Sequence, residues 1–360
     1  MLPSLAALAL QTDAGQKRKR TLDEAMPDGF SMLCRAAQDN DLEGVRDLLN
    51  NGARVDNAPH KTPLMIASKN GNAEIVKLLL EHGARVDRLS YDGNTPLVIA
   101  SEEGHTEIVN LLLEGGAKVD TVSRFGQTPL MIACEERHFE IVKLLIEHGA
   151  DLEATTYVGY TPLMYSIQFG VYLDLPMIKL LLDSGANPNA VPADVPTEVP
   201  EDERGGWMTS TPLMYACDSS FIKDSPWSLV DVVWLLLRHG ADPNRVNGNG
   251  ETALSLSILR YRHEVVAYLL DYGVIVTDAA VAAFATTAAD MENWELRLRD
   301  EGASLAELQN LRETETRWSD IASRLSLYIP EDSPLHPEFT RIFRAMIEHK
   351  QRIGFIPVTK

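Results

Sequence analysis

The chain has 360 residues, 45% hydrophobic and 24% charged, which is enough apolar material for a sizeable core and within the range of ordinary folded proteins. Its 33 basic residues face 52 acidic ones, and the resulting net charge of −19 argues against a broad electrostatic footprint for nucleic acid or anionic lipid and favours basic protein surfaces as partners. No apolar run approaches the roughly 18 to 20 residues that span a bilayer, so no membrane partner is expected.

Residues 1–29 carry no repeat signal, and their composition predicts a mobile arm. They contain the basic cluster Lys17, Arg18, Lys19 and Arg20, which resembles a short nuclear-import signal; a solvated charge run is the other reading. A first helix pair is expected from Ser31 onward, where Phe30-Ser-Met-Leu-Cys-Arg-Ala-Ala is followed by Val45-Arg-Asp-Leu-Leu-Asn-Asn-Gly52-Ala. After it the phrase Thr-Pro-Leu recurs at Thr62, Thr95, Thr128 and Thr161, at intervals of 33 residues. A period of that length predicts a stack of small helical units, each unable to bury its apolar face alone.

Within each unit Thr62 is suited to cap a helix, Pro63 to its first position, and Ala67 to close packing between neighbouring helices. Ile75, Val76, Leu78, Leu79 and Leu80 supply the apolar face of a second helix, ended by Gly83. Asp92-Gly93 then turns the chain back toward the next Thr-Pro-Leu. The interval lengthens to 50 residues between Thr161 and Thr211 and to 41 between Thr211 and Thr252. The surplus falls near 172–176, in a long finger over 191–210, and between helices at 219–228; such insertions belong in loops, often on a binding face. Past Gly273 the pattern fades into helical stretches at 279–289, 304–327 and 338–352, broken by Pro330, Pro334 and Pro337, which are expected to cover the open end of the stack.

These units resemble the ankyrin repeat. The resemblance covers roughly residues 31–273 and implies an all-α repeat solenoid, a stack of about seven helix-turn-helix units with hairpin fingers, plus a C-terminal helical cap. The domain plan is an arm at 1–29, the repeats at 30–273 and a helical region at 274–360. Met65, Met131, Met164 and Met214 stand where many ankyrin repeats have His, which the resemblance implies ties adjacent turns; Met offers apolar packing instead, which lowers the expected rigidity between units. His82, His148 and His239 precede the closing glycines, where an imidazole meets the last carbonyls of a helix, and none has metal-ligand spacing.

The resemblance further implies a concave groove, lined by fingertips and first helices, that holds a partner protein. Counting from each Thr places Tyr91, Arg124 and Tyr157 at one tip position and Phe125 and Val158 at the next. Aromatic and Arg side chains are common interface anchors, although tips that fold over their own turns would leave them structural. Glu102, Glu103, Glu135 and Glu136 are expected side by side in the groove, favouring a basic or amphipathic segment; a solvated helix end is the plain alternative. Lys69-Asn70 and Gln168-Phe169 flank this acidic run, and Phe169 is counted with the groove. The finger Val191-Pro-Ala-Asp-Val-Pro-Thr-Glu-Val-Pro-Glu-Asp-Glu-Arg-Gly-Gly-Trp207 reads as a docking motif ending on Trp207, as a flexible cover over the groove or as a tolerated insertion.

Function follows as a non-enzymatic interaction module or scaffold, working as a monomer without cofactor. The alternative is an adaptor, such as a ubiquitin-ligase substrate receptor, that recruits machinery through its C-terminal helices. There Phe339-x-x-x-Phe343 and the following apolar residues resemble the SOCS box in outline, with Ile342-Phe343-Arg344 replacing its Leu-Cys-Arg core. No G-x-x-x-x-G-K loop, G-x-S-x-G elbow or H-E-x-x-H helix is present, so catalysis is not expected. Cys34, Cys134 and Cys217 are too few and too scattered for a disulfide framework, which points to a reducing, intracellular setting, cytoplasmic or nuclear.

Overall fold

The computed structural model describes residues 31–56, 58, 61–168, 174–191, 209–218, 228–301, 305–329, 336–337, 339–342 and 344. Lys17, Arg18, Lys19, Arg20, Phe169, Trp207 and most of the two insertions lie outside them. The described residues form helices joined by turns, with no strand among them, and they divide into two compact units.

The first unit runs from Ser31 to Ser166, with Asp183–Ala186. Its helix pairs are α1 Met32–Gln38 with α2 Leu42–Asn50, α3 Pro63–Asn70 with α4 Ala73–Glu81, α5 Pro96–Glu102 with α6 Thr106–Glu114, and α7 Pro129–Glu135 with α8 Phe139–Glu147; α9 begins at Pro162. Each first helix starts on a buried hydroxyl. Thr62, Thr95 and Thr128 accept hydrogen bonds from the backbone N–H of Met65, Val98 and Met131 at 3.2 to 3.3 Å, and the following Pro has no N–H to leave unpaired. In the first helix pair, which lacks Thr-Pro, Ser31 caps α1 by accepting from Cys34 N. First helices then pack in one row, α1 to α3 to α5 to α7, and second helices in another, α2 to α4 to α6 to α8. Ala67, Ala100 and Ala133 are fully buried in the first row, where a larger side chain would hold the helices apart. Met65, Met131 and Met164 are core residues too.

The fingers between pairs are tight turns. Ser90 N donates to Asn94 O, Ser123 N to Gln127 O and Thr156 N to Tyr160 O, at 2.9 to 3.1 Å. The ties between units, which the missing His left in doubt, come from two other sources. Carboxylates on one finger accept backbone N–H groups from the next: Asp56 from Arg85, Asp87 from Lys118 and Asp120 from Asp151. At the other end of the first helices, His105 Nε2 donates to Lys69 O at 3.1 Å and His138 Nε2 to Glu102 O at 3.2 Å. His82 and His148 meet the carbonyls of Leu78 and Leu144 through Nδ1, at 2.8 and 2.9 Å, within their own helices.

The second unit contains α10 Leu175–Asp183 up to Leu182, then α11 Pro212–Asp218, α12 Leu229–Arg238, α13 Ala253–Leu259, α14 His263–Tyr272, α15 Asp278–Glu301 and α16 Leu305–Tyr328. Here α15 packs on α13 and α16 on α14, so they stand where another repeat's two helices would, although each is 24 residues long. Their junction with α13–α14 is aromatic: Trp318, Phe284 and Phe339 are fully buried, with Phe284 centred 6.1 Å from Trp318 and 5.6 Å from Phe339. Phe339 is thus a core residue, because its ring closes this cluster. In this unit the finger ladder uses amides, Asn189 accepting from Asp242 N and Asn244 from Ile275 N. Cys34, Cys134 and Cys217 are buried and form no disulfide, and burial pushes the Cys217 thiol up to about 12. No described helix is long and apolar enough to cross a membrane.

The His138 tie can be isolated at Gly104, which holds the left-handed φ of 81° in the turn after α5; a Cβ there would come within 2.5 Å of the His138 ring. Gly83 has nearly the same φ of 80° with nothing within 4 Å. Gly83→Ala should cost the left-handed penalty of about 1–2 kcal/mol, and Gly104→Ala about 1 kcal/mol more for the lost hydrogen bond. Urea unfolding of both variants checks this, and equal costs would show that the His138 contact contributes nothing.

Candidate functional site

Between the finger that carries Asp92, the finger that carries Phe125 and the ends of α5 and α7 lies a groove of about 400 Å³. Asp92 and Asn94 from one finger, and Ser123, Arg124, Phe125 and Gln127 from the next, form one wall. Glu102 from α5, with Ile132, Glu135 and Glu136 from α7 and its C-cap, form the other. The walls face each other because first helices pack side by side and each finger runs directly into a capped first turn.

Three of the four predicted carboxylates, Glu102, Glu135 and Glu136, meet in this groove. Glu103 does not join them: it forms the C-cap of α5 and pairs with Lys69 Nζ at 3.3 Å, because the cation on α3 reaches it across the turn. Glu135 is the most enclosed. Burial, then the neighbouring charges of Glu136 and Glu102, hold its carboxyl above the usual carboxylate range, opposed by the hydrogen bond it accepts from Gln127 Nε2 at 2.9 Å. Gln127 also lies 3.3 Å from the Tyr165 hydroxyl, whose acidity is lowered mainly by burial.

The cation among the lining residues, Arg124, is already engaged: its guanidinium stacks 4.5 Å over the Phe125 ring and lies 3.8 Å from Asp92 Oδ1. The fingertips show both fates the sequence allowed. Tyr91 is 85% exposed and Phe125 60%. Tyr157, also largely exposed, lays its ring against the preceding finger at Gly126, whose φ of 76° and absent Cβ permit the contact. Tyr157 and Val158, on the finger after that of Phe125, stand outside the groove lining, as does Tyr91 on the finger before it. Phe169 and Trp207 lie outside the described residues.

Counting from each Thr to its fourth and third predecessors missed the groove residues one step before it. Asn94 and Gln127 immediately precede Thr95 and Thr128, so the signal was the same 33-residue register read at one more position. The Asn94 Oδ1 is buried in the groove wall and has no hydrogen-bond donor.

A family model for three copies of the ankyrin repeat matches residues 33–123 and 115–191, and a single-repeat model matches 210–248, together more than half the chain. No curated protein matches. Among solved structures, the crystal structure of the ankyrin repeat domain of Bcl-3, described as a unique member of the IkappaB protein family, is similar at 28% identity with a TM-score of 0.53. The likeness covers 63% of this chain and 94% of that one.

Because the folded state holds Glu135 protonated to higher pH than the unfolded chain does, ionising it opposes folding at neutral pH, and this cost vanishes once both states are protonated. Glu135→Gln, which keeps an acceptor for Gln127, should therefore raise the urea midpoint at pH 7. The gain should shrink as pH falls and disappear below about pH 4. A midpoint that is lower than the parent's at pH 7 and equal at acid pH would reverse the assignment.

Proposed function

Since the chain belongs to the ankyrin-repeat family, whose members are protein-interaction modules, we propose that its first unit binds a basic or amphipathic segment of a partner protein in the groove between the fingers of Asp92 and Phe125. One observation carries the reading: Glu102, Glu135 and Glu136 converge on an open groove whose own cation is held by Asp92 and Phe125. Lys or Arg from a partner would relieve the repulsion among the three carboxylates, with charge complementarity acting on encounter rate and specificity. The exposed rings of Tyr91, Phe125 and Tyr157 offer apolar contact along the finger edge, where aromatic anchors concentrate binding energy. The net charge of −19 opposes nucleic acid as the ligand. The activity proposed is binding alone, by a monomer working inside the cell.

The test is fluorescence anisotropy of a labelled Lys/Arg-rich amphipathic peptide with the full chain, beside a Glu-substituted version of the same peptide. The basic peptide should bind with an affinity that falls steeply with salt. E102Q/E135Q/E136Q should weaken it about tenfold or more, equivalent to ~1.4 kcal/mol, and Y91A/F125A/Y157A should weaken it comparably with little change in salt dependence. Equal binding of both peptides, or affinity unchanged in the charge-neutralised chain, would sink the groove reading.

A further inference from the structure

In the second unit α16 packs on α14, and two polar contacts of different kinds join them. Arg324 donates to both carboxylate oxygens of Asp271 at 3.0 and 3.1 Å. Two turns earlier on α16, Arg317 Nη1 donates to Nε2 of His263, the first residue of α14, at 3.0 Å. A guanidinium has only donors, so this second contact exists only while Nε2 carries no proton. Protonation would turn a donor–acceptor pair into two adjacent cations. Burial, then the Arg317 charge, already hold the His263 imidazole below its usual range, against Glu264 and a hydrogen bond to the Tyr261 backbone. The start of a helix is also a poor place for a cation. A protonated ring has another partner within reach, because Glu264 Oε1 on its own helix lies 3.7 Å from Nε2.

The remaining charges around this contact are engaged elsewhere or flank it. Arg262 precedes His263, Arg260 is held by Asp218 at 2.7 Å, Asp231 at the start of α12 accepts from Ser228 N, and Asp290 of α15 accepts from the Tyr261 hydroxyl. On α16, Glu313 and Asp320 stand a turn either side of Arg317, and Asp320 accepts from Arg324. Trp318 follows Arg317 directly and is fully buried, its ring edge-on to Tyr261 at 6.0 Å in the turn that leads into α14. We propose that His263 is a proton-operated latch between the last repeat and the C-terminal helix pair: neutral, it accepts Arg317 from α16; protonated, it pairs with Glu264 on its own helix and frees α16 to open at Trp318. Because the folded state disfavours that proton, the contribution of the latch is complete above about pH 6.5 and is lost progressively as pH falls below it.

The test is hydrogen exchange of the full chain, read by mass spectrometry on peptides covering 313–329, beside H263Q and R317Q. It is run at about pH 7.5 and about pH 5.5, on either side of the imidazole range. Parent and variants are compared at the same pH, which cancels the intrinsic exchange rate, and peptides of α3 and α4 serve as an internal reference. H263Q keeps an acceptor for Arg317 and cannot titrate. On acidification the protection of 313–329 in the parent should fall about 2- to 10-fold relative to H263Q, the size of one hydrogen bond, with α3 and α4 unchanged. R317Q removes the second cation, so it should exchange faster at the higher pH and show little further fall at the lower. The same pH dependence in parent and H263Q would overturn the latch, as would an acid step of full size in R317Q.

Discussion

Everything positioned in the first unit depends on the buried threonine hydroxyl that opens each first helix. Thr62, Thr95 and Thr128 are almost wholly enclosed, and each accepts the N–H of the residue three places on, an orphan donor that would otherwise be buried unpaired. Fixing that first turn sets where the preceding finger must land and which face of the helix meets its neighbours. Ala67, Ala100 and Ala133 then allow successive first helices to approach closely, and the second helices follow as a second layer. The fingers gather on one edge as a consequence, and the groove exists because adjacent fingers and adjacent first helices repeat in the same register.

Register is also why so much of the fold was legible. The Thr-Pro-Leu phrase, the Leu-rich second helices and the closing glycines each report local chemistry, and the 33-residue interval converts that into a stack. What escaped are the ties between units. Asp56, Asp87 and Asp120 reach backbone groups 29 to 31 residues away, and His105 and His138 reach carbonyls 36 residues back. Their periodic recurrence was visible, but which atom a side chain meets across a unit boundary depends on finger geometry that no local pattern encodes. The departure from the usual His suggested looser coupling, whereas a different pair of histidines supplies bonds on the opposite end of the same helices.

The acidic site shows the same division between pattern and placement. Repeat counting grouped Glu102, Glu103, Glu135 and Glu136, and three of the four do meet. Glu103 leaves the group because residue 102 ends α5 and residue 103 turns toward α3, where Lys69 neutralises it. That pair is exposed and contributes little to stability, about 0–1 kcal/mol, yet it takes Glu103 out of the group that lines the groove. The three carboxylates that line the groove stand between the finger of Asp92 and the finger of Phe125.

A groove built this way is set before any ligand arrives. Gln127 holds Glu135 while contacting Tyr165, Arg124 is pinned between Asp92 and Phe125, and the finger ladder fixes the spacing of the two walls. A partner of the kind proposed would therefore spend little free energy in ordering the site, and its affinity would be set chiefly by how well its cations match the three carboxylates. The second unit keeps the ladder but replaces the carboxylates at Asp56, Asp87 and Asp120 with the amides Asn189 and Asn244. An amide accepts the same backbone hydrogen bond without adding charge, so the structural role of this position and its contribution to the field are separable. The charge that these aspartates add is thus a property layered on the stack, not one that stacking demands.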